Sequence, residues 1–211
     1  MHPADPAEAE SYRILRSRLD LSALPPLSRA VTERVIHATA DFDYVTDLVC
    51  DEAALASGLA GLRRGAPAVA DATAVAAALG GYQVICKADD SLAARLARTA
   101  NLSLSAAAVR LAFSAAGPGA VWLVGSAPDA LSEILAREVE PALVIGVPVG
   151  FVGAAEAKDA LRRSGLPALS NVSEKGGPAV AAAAFEALLR IAAAVPDDPH
   201  PPSRRLEDAD G

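Results

Sequence analysis

Short aliphatic runs, separated by alanine-rich segments, recur along the middle and end of the chain. They read APAVA (66–70), YQVICKA (82–88), AVWLVGS (120–126), ALVIGVPV (142–149) and PALSNV (167–172). Apolar runs of this length, bounded by Gly and Pro, suit strands covered on both faces of a parallel sheet. The segments between them, such as 90–99, 103–115, 127–137, 153–163 and 178–194, are rich in alanine and read as helices. Strand and helix in alternation predict an α/β fold: a three-layer α/β/α sandwich around a mostly parallel, doubly wound sheet. The chain is 52% hydrophobic but only 4% aromatic, so its layers are built from Ala, Val, Leu and Ile.

The first third is mostly helical. Segments 7–19, 28–40, 43–49 and 52–64 read as helices of an N-terminal region. The last helix, 178–194, is nearly apolar, with Glu186 and Arg190 at i,i+4 as one polar stripe. That breadth suits packing on the sheet and is compatible with a dimer contact. A chain of 211 residues fits one domain with a sizeable core. Residues 1–194 are expected to form it, and 195–211, rich in Pro and charge, to be a disordered tail. No internal repeat is visible.

The net charge of -7 argues against general nucleic-acid binding and against a basic membrane-surface module. The longest nearly uncharged run, 142–155, falls short of the ~20 residues that span a bilayer. The opening MHPADPAEAE is acidic and polar, unlike a signal peptide. Cys50 and Cys86 are far apart in sequence and read as small buried hydrophobes in a reducing compartment. The expectation is a cytoplasmic protein with no membrane and no nucleic-acid partner.

His2 and His200 lie in the polar ends, so imidazole chemistry in the body of the chain rests on His37. It stands in TERVIHATAD (32–41), with Glu33 four residues before it and Asp41 four after. If one helix runs through Asp41, both carboxylates flank the ring, favour imidazolium and raise its pKa. Such a group suits delivery of a proton to a substrate near neutral pH. A solvated polar face is the alternative. Val31, Val35, Ala38 and Phe42 fall on a separate apolar stripe.

Three Gly-containing turns, VGSAPDAL (124–131), GVPVGFVGAAEAKDAL (146–161) and SEKGGPAVAA (173–182), each precede a helix. In a parallel sheet such turns gather at the carboxyl ends of the strands, where ligands bind, and helix N-termini there offer N–H groups to anions. None matches a nucleotide-binding glycine pattern. Lys158 reads as a surface lysine, or as an anion contact near a helix start. Asp89 and Asp90 read as helix caps. No His cluster has metal-ligand spacing, and no Gly-x-Ser-x-Gly elbow appears.

These pieces, in this order, resemble the precorrin-8X methylmutase family of the cobalamin pathway over roughly residues 11–190. The resemblance is carried by SYRILRSRLDLSALPP, VTERVIHATAD, RRGAPAVAD, QVICKADD, SAAAVRLAF, VGSAPDAL, PALVIGVPVGFVGAAEAKDAL and KGGPAVAAAAFEALL. It implies a flavodoxin-like fold, a homodimer, and a methyl shift from C11 to C12 of an anionic reduced tetrapyrrole with no separate cofactor. The implied proton donor is His37. Implied substrate contacts are Ser11, Arg34 and Arg16, with Ser126 and Lys175 as further ones. Arg34 lies at i−3 from His37, which would put acid and anion anchor on one helix face.

The departures concern charge. Leu104 stands where the family commonly has Arg. The turn usually written Gly-Asn-Ala-Pro-Thr reads GSAPD, and its Asp129 is expected to repel a substrate carboxylate while favouring the helix start. Val172 and Glu174 replace basic residues, with Lys175 kept, and Ala74 replaces a Met. Each lost charged contact is worth ~1.5–3 kcal/mol of binding. Leu104, Val172 and Glu174 motivate an alternative, a paralogue that carries or sequesters a corrinoid without turnover.

Overall fold

The computed structural model describes residues 6–194 apart from 81 and 138. His2, His200 and the segment 195–211 expected to be a disordered tail lie outside the described residues. The elements run α1 (Pro6–Arg18), α2 (Pro26–Thr39), α3 (Tyr44–Asp47), β1 (Leu48–Cys50), α4 (Glu52–Arg63), β2 (Ala68–Ala70), α5 (Thr73–Ala78) and β3 (Ile85–Cys86). They continue with α6 (Ser91–Ala100), α7 (Leu104–Ala116), β4 (Val121–Val124), α8 (Pro128–Leu135), β5 (Leu143–Gly146), α9 (Ala154–Arg163), β6 (Ala168–Asn171) and α10 (Pro178–Ala194).

The sheet order is β1-β6-β5-β4-β2-β3. The strands β2 to β6 are parallel, in the doubly wound order of flavodoxin-type sheets, and β1 adds an antiparallel edge on β6. Alternation along β4 assigns its two faces. Val121 and Leu123 face one layer, built from α4, α5 and α10, while Trp122 and Val124 face the other, built from α7, α8 and α9. Every residue of β4 and β5 is buried, as their uninterrupted apolar sequence requires. Gly58 lets α4 approach closely, since a Cβ there would lie 2.7 Å from a Leu143 methyl. The three-layer expectation holds, with α2 stacked outside α10 and α1 outside α2.

Three local expectations differ. The segment 43–49 is not one helix: α3 ends at Asp47 and the chain turns into β1. The Asp47 carboxylate accepts hydrogen bonds from the backbone N–H groups of Val172 and Ser173, which draws Leu48–Cys50 alongside β6. The helix α5 forms where none was expected. On α2, Val31, Val35 and Ile36 are buried, but Ala38 and Phe42 are exposed. The helix stops at Thr39, with Ala40 left-handed at φ 55, so Phe42 is not on it. The breadth of α10 is covered by the chain itself, with Val180–Phe185, Ala187 and Leu188 buried between the sheet and α2, α4 and α5.

Candidate active site

Two helix faces meet at His37. On α1, Glu8, Ser11, Tyr12 and Leu15 recur at helical spacing, and Leu15 is the buried residue that seats this face. On α2, Ala30, Glu33, Arg34 and His37 recur in the same way, turned from the core face toward α1. The Ser11 hydroxyl lies 2.8 Å from His37 Nδ1. The Tyr12 ring stacks on the imidazole, centroids 4.8 Å apart and 10° from parallel. With the neutral ring protonated on Nε2, Ser11 donates to Nδ1; with the proton on Nδ1, or in imidazolium, Nδ1–H donates to Ser11.

The charges around the ring are paired. Arg34 donates from Nη1 to Glu8 at 2.8 Å and from Nη2 to Glu186 at 2.5 Å. Arg190 also donates to Glu8, at 2.7 Å. Thus the polar stripe of α10 faces the site. A hollow of about 400 Å³ opens between α1, α2 and α10, with Tyr12, Arg16, Arg34 and Arg190 in its wall. Such a wall, with one aromatic ring and three guanidinium groups, can hold a flat ring with carboxylate arms.

The expected upward pKa shift of His37 is reversed. Partial burial pushes it below the usual histidine value, the Arg34 guanidinium adds to this, and Glu8 opposes. The two carboxylates expected to flank it are engaged elsewhere. Glu33 accepts from Arg16 at 3.1 and 2.7 Å. Asp41 lies past the end of α2 and accepts from Lys175 at 2.8 Å. His37 is half-buried on the α1-facing side, neither on the core stripe nor on a solvated face.

Ser11, Arg34 and Arg16 therefore join His37 in one cluster, while Ser126 belongs to another. The backbone N–H groups of Gly125, Ser126 and Ala127, at the start of α8, donate to the Asp71 carboxylate at 3.2, 3.0 and 3.3 Å. Asp71 is fully buried, and burial raises its pKa against those amides. The turn read as anion-friendly is filled by the chain's own anion. Asp129, expected to repel a substrate carboxylate, instead accepts from the Ser103 amide and hydroxyl, at 3.1 and 2.7 Å, at the start of α7. Leu104 and Val172 are exposed. Lys158 is fully buried, which corrects the surface reading.

Tyr12, Glu8 and Arg190 received no role from the sequence. Their only signal was position: Tyr12 beside Ser11, Glu8 one turn before it, and Arg190 in the lone polar stripe of α10. Among the described residues no group of three or more His, Cys, Asp or Glu could hold a metal ion, and no helix is long and apolar enough to cross a membrane.

The family model of precorrin-8X methylmutase matches residues 6–191. The cobalt-precorrin-8 methylmutase of Salmonella typhimurium is 37% identical over 194 residues, covering 86% of this chain and 92% of that one. The precorrin-8X methylmutase of a Sinorhizobium species is 35% identical, covering 85% and 91%. A crystal structure of precorrin-8X methylmutase from Thermus thermophilus superposes with a TM-score of 0.79 at 33% identity, covering 89% and 96%. With a sequence match along nearly the whole described chain and a shared fold, this protein belongs to the precorrin-8X methylmutase family.

Proposed function

We propose that this protein is an isomerase of cobalamin biosynthesis that moves a methyl group from C11 to C12 of precorrin-8X or its cobalt form, giving hydrogenobyrinate or cobyrinate. One observation carries the site assignment: Ser11 hydrogen-bonds His37, and the Tyr12 ring stacked on that imidazole lines, together with Arg34, a hollow large enough for part of a flat ring. Substrate and product hold the same atoms, so any proton lent during the shift must be returned. Protonation by His37 draws electron density from the conjugated ring and promotes a 1,5-methyl shift. The rearranged ring then gives the proton back.

Ser11 aims the imidazole through Nδ1, which leaves Nε2 as the donor atom. Tyr12 fixes the ring plane. Arg34, with Arg16 beside it, takes peripheral carboxylates of the substrate, which share the guanidinium groups with Glu8, Glu186 and Glu33. Their docking brings further negative charge to His37 and raises its pKa when the proton is needed. Lys175, beyond the end of α2, is a further carboxylate contact. For Ser126 the contact falls to the hydroxyl, because its amide is committed to Asp71.

The reading includes one domain over residues 1–194, a cytoplasmic location and a homodimer. Free Cys50 and Cys86 suit a reducing compartment. The exposed side chains of Val149, Phe151 and Val152 suit a contact between copies. The test is the absorption spectrum of precorrin-8X incubated with the purified protein. Conversion to the hydrogenobyrinate spectrum is expected. A substrate spectrum that persists, bound or unbound, contradicts the enzymatic reading.

A further inference from the structure

One buried charge takes no part in this chemistry. Lys158 lies on α9, fully buried, and its Nζ donates to the Asn171 side-chain oxygen at 2.9 Å, the Lys175 carbonyl at 2.8 Å and the Ser173 carbonyl. Three acceptors match the three N–H bonds of an ammonium; a neutral amine has only two. Burial lowers its pKa to about 8, with Asp47 and Glu174 opposing and Arg162 adding to the shift.

A buried ammonium is tolerated only where its acceptors are fixed, and here they fix one loop. Asn171 donates from Nδ2 to the Lys175 carbonyl at 2.8 Å and to Asp47 at 2.9 Å. Asp47 accepts from the Ser173 amide at 2.7 Å and from its hydroxyl at 2.8 Å. At Gly176, φ +144, a Cβ would overlap the Val147 carbonyl, and Gly177 N–H donates to that same oxygen at 2.8 Å. Residues 172–177 are thus tied to α3, β6, α9 and the end of β5. From this loop Lys175 extends its ammonium to Asp41 at 2.8 Å and Asp43 at 2.6 Å, just past the His37 end of α2.

We propose that Lys158 is a positioning residue for substrate binding: by fixing the 172–177 loop it sets where Lys175 presents its ammonium beside the end of α2. The proposal rests on the reading of Lys175 as a contact for a substrate carboxylate. A lysine on a loop already ordered binds without a further loss of loop freedom. Asp41 and Asp43 hold the side chain in place until a substrate carboxylate competes for it.

The test is a double-mutant cycle on kcat and KM for precorrin-8X, with the wild-type protein, Lys158→Met, Lys175→Ala and the double variant. Methionine keeps the length of the stem and removes the three donors. Each single change is expected to raise KM about tenfold, and the double change also about tenfold, because both act through one contact. A merely structural role lowers the active fraction, hence kcat, and leaves KM unchanged. An unchanged KM in Lys158→Met, or a double variant near the roughly hundredfold product, overturns the proposal. Should Lys158→Met not fold, Ser173→Ala loosens the same loop more gently. It is expected to raise KM about threefold, and not at all in the Lys175→Ala background; additivity there overturns the proposal. Wild-type turnover reports on the underlying reading separately. If it is absent, reading and proposal both fall; if it is present with additive effects, only the proposal falls.

Discussion

His37 faces two opposed demands. A proton donor must hold its proton, yet burial and the Arg34 guanidinium favour the neutral ring. In the proposed mechanism substrate carboxylates resolve the conflict, because they add negative charge beside Arg34 and His37 as they dock. A pH profile with a definite sign follows. A general acid is active when protonated, so the rate falls as pH rises through its pKa. The profile of kcat/KM reports the free protein and that of kcat the complex. The descending limb of kcat/KM is therefore expected below the ordinary histidine value of ~6.5, and that of kcat at higher pH. Coincident limbs above ~6.5 would refute this. The sequence singled out His37, and the family resemblance Ser11 and Arg34, which the fold brings together, but the expected direction of the shift was reversed. Spacing at i±4 assumes free carboxylates on one continuous helix. Arg16, seventeen positions before Glu33, and Lys175, far beyond Asp41, claim those carboxylates through tertiary contacts that helical spacing does not encode.

Among the elements, α2 does most to assemble the site, and its end matters as much as its face. Ala40 closes it in a left-handed conformation, φ 55, with its N–H donating to the Ile36 carbonyl. Glycine adopts that conformation without steric cost. Ala40→Gly is expected to stabilise the protein by about 0.5–1 kcal/mol, read as a higher midpoint in chemical denaturation. A lower midpoint would show that the Ala40 side chain has contacts worth more than the strain. The end at Thr39 falls within one residue of the expected 28–40; the left-handed turn at Ala40, which takes Asp41 off the helix, was not legible, because alanine carries no termination signal. The helices from α6 to α10 were legible to within about three residues, since Gly, Pro or an Asp or Ser cap brackets most of them. The strand β1 was not, because three residues held at an edge by Asp47 have no period of their own.

For the whole molecule, alternation of strand and helix was enough to specify the parallel sheet, and the observed strand order is the doubly wound one it implies. Two internal charges escaped that reading. Asp71 fills the amide nest at the start of α8, and Lys158 ties down the loop after β6. Both look like surface groups in a linear sequence; only the packed fold encloses them. The exposed loop bearing Phe151, 95% accessible, is covered by none of the described residues. If it seals a homodimer, Phe151→Glu is expected to reduce the mass in light scattering from twice that of the chain to that of the chain. An unchanged mass would place the interface elsewhere. The central step is one proton transfer by His37, and the most direct measurement is conversion of precorrin-8X by His37→Ala, checked for native circular dichroism. The expected result is loss of at least about 10²-fold in kcat with the substrate spectrum retained; conversion at the wild-type rate would contradict the account.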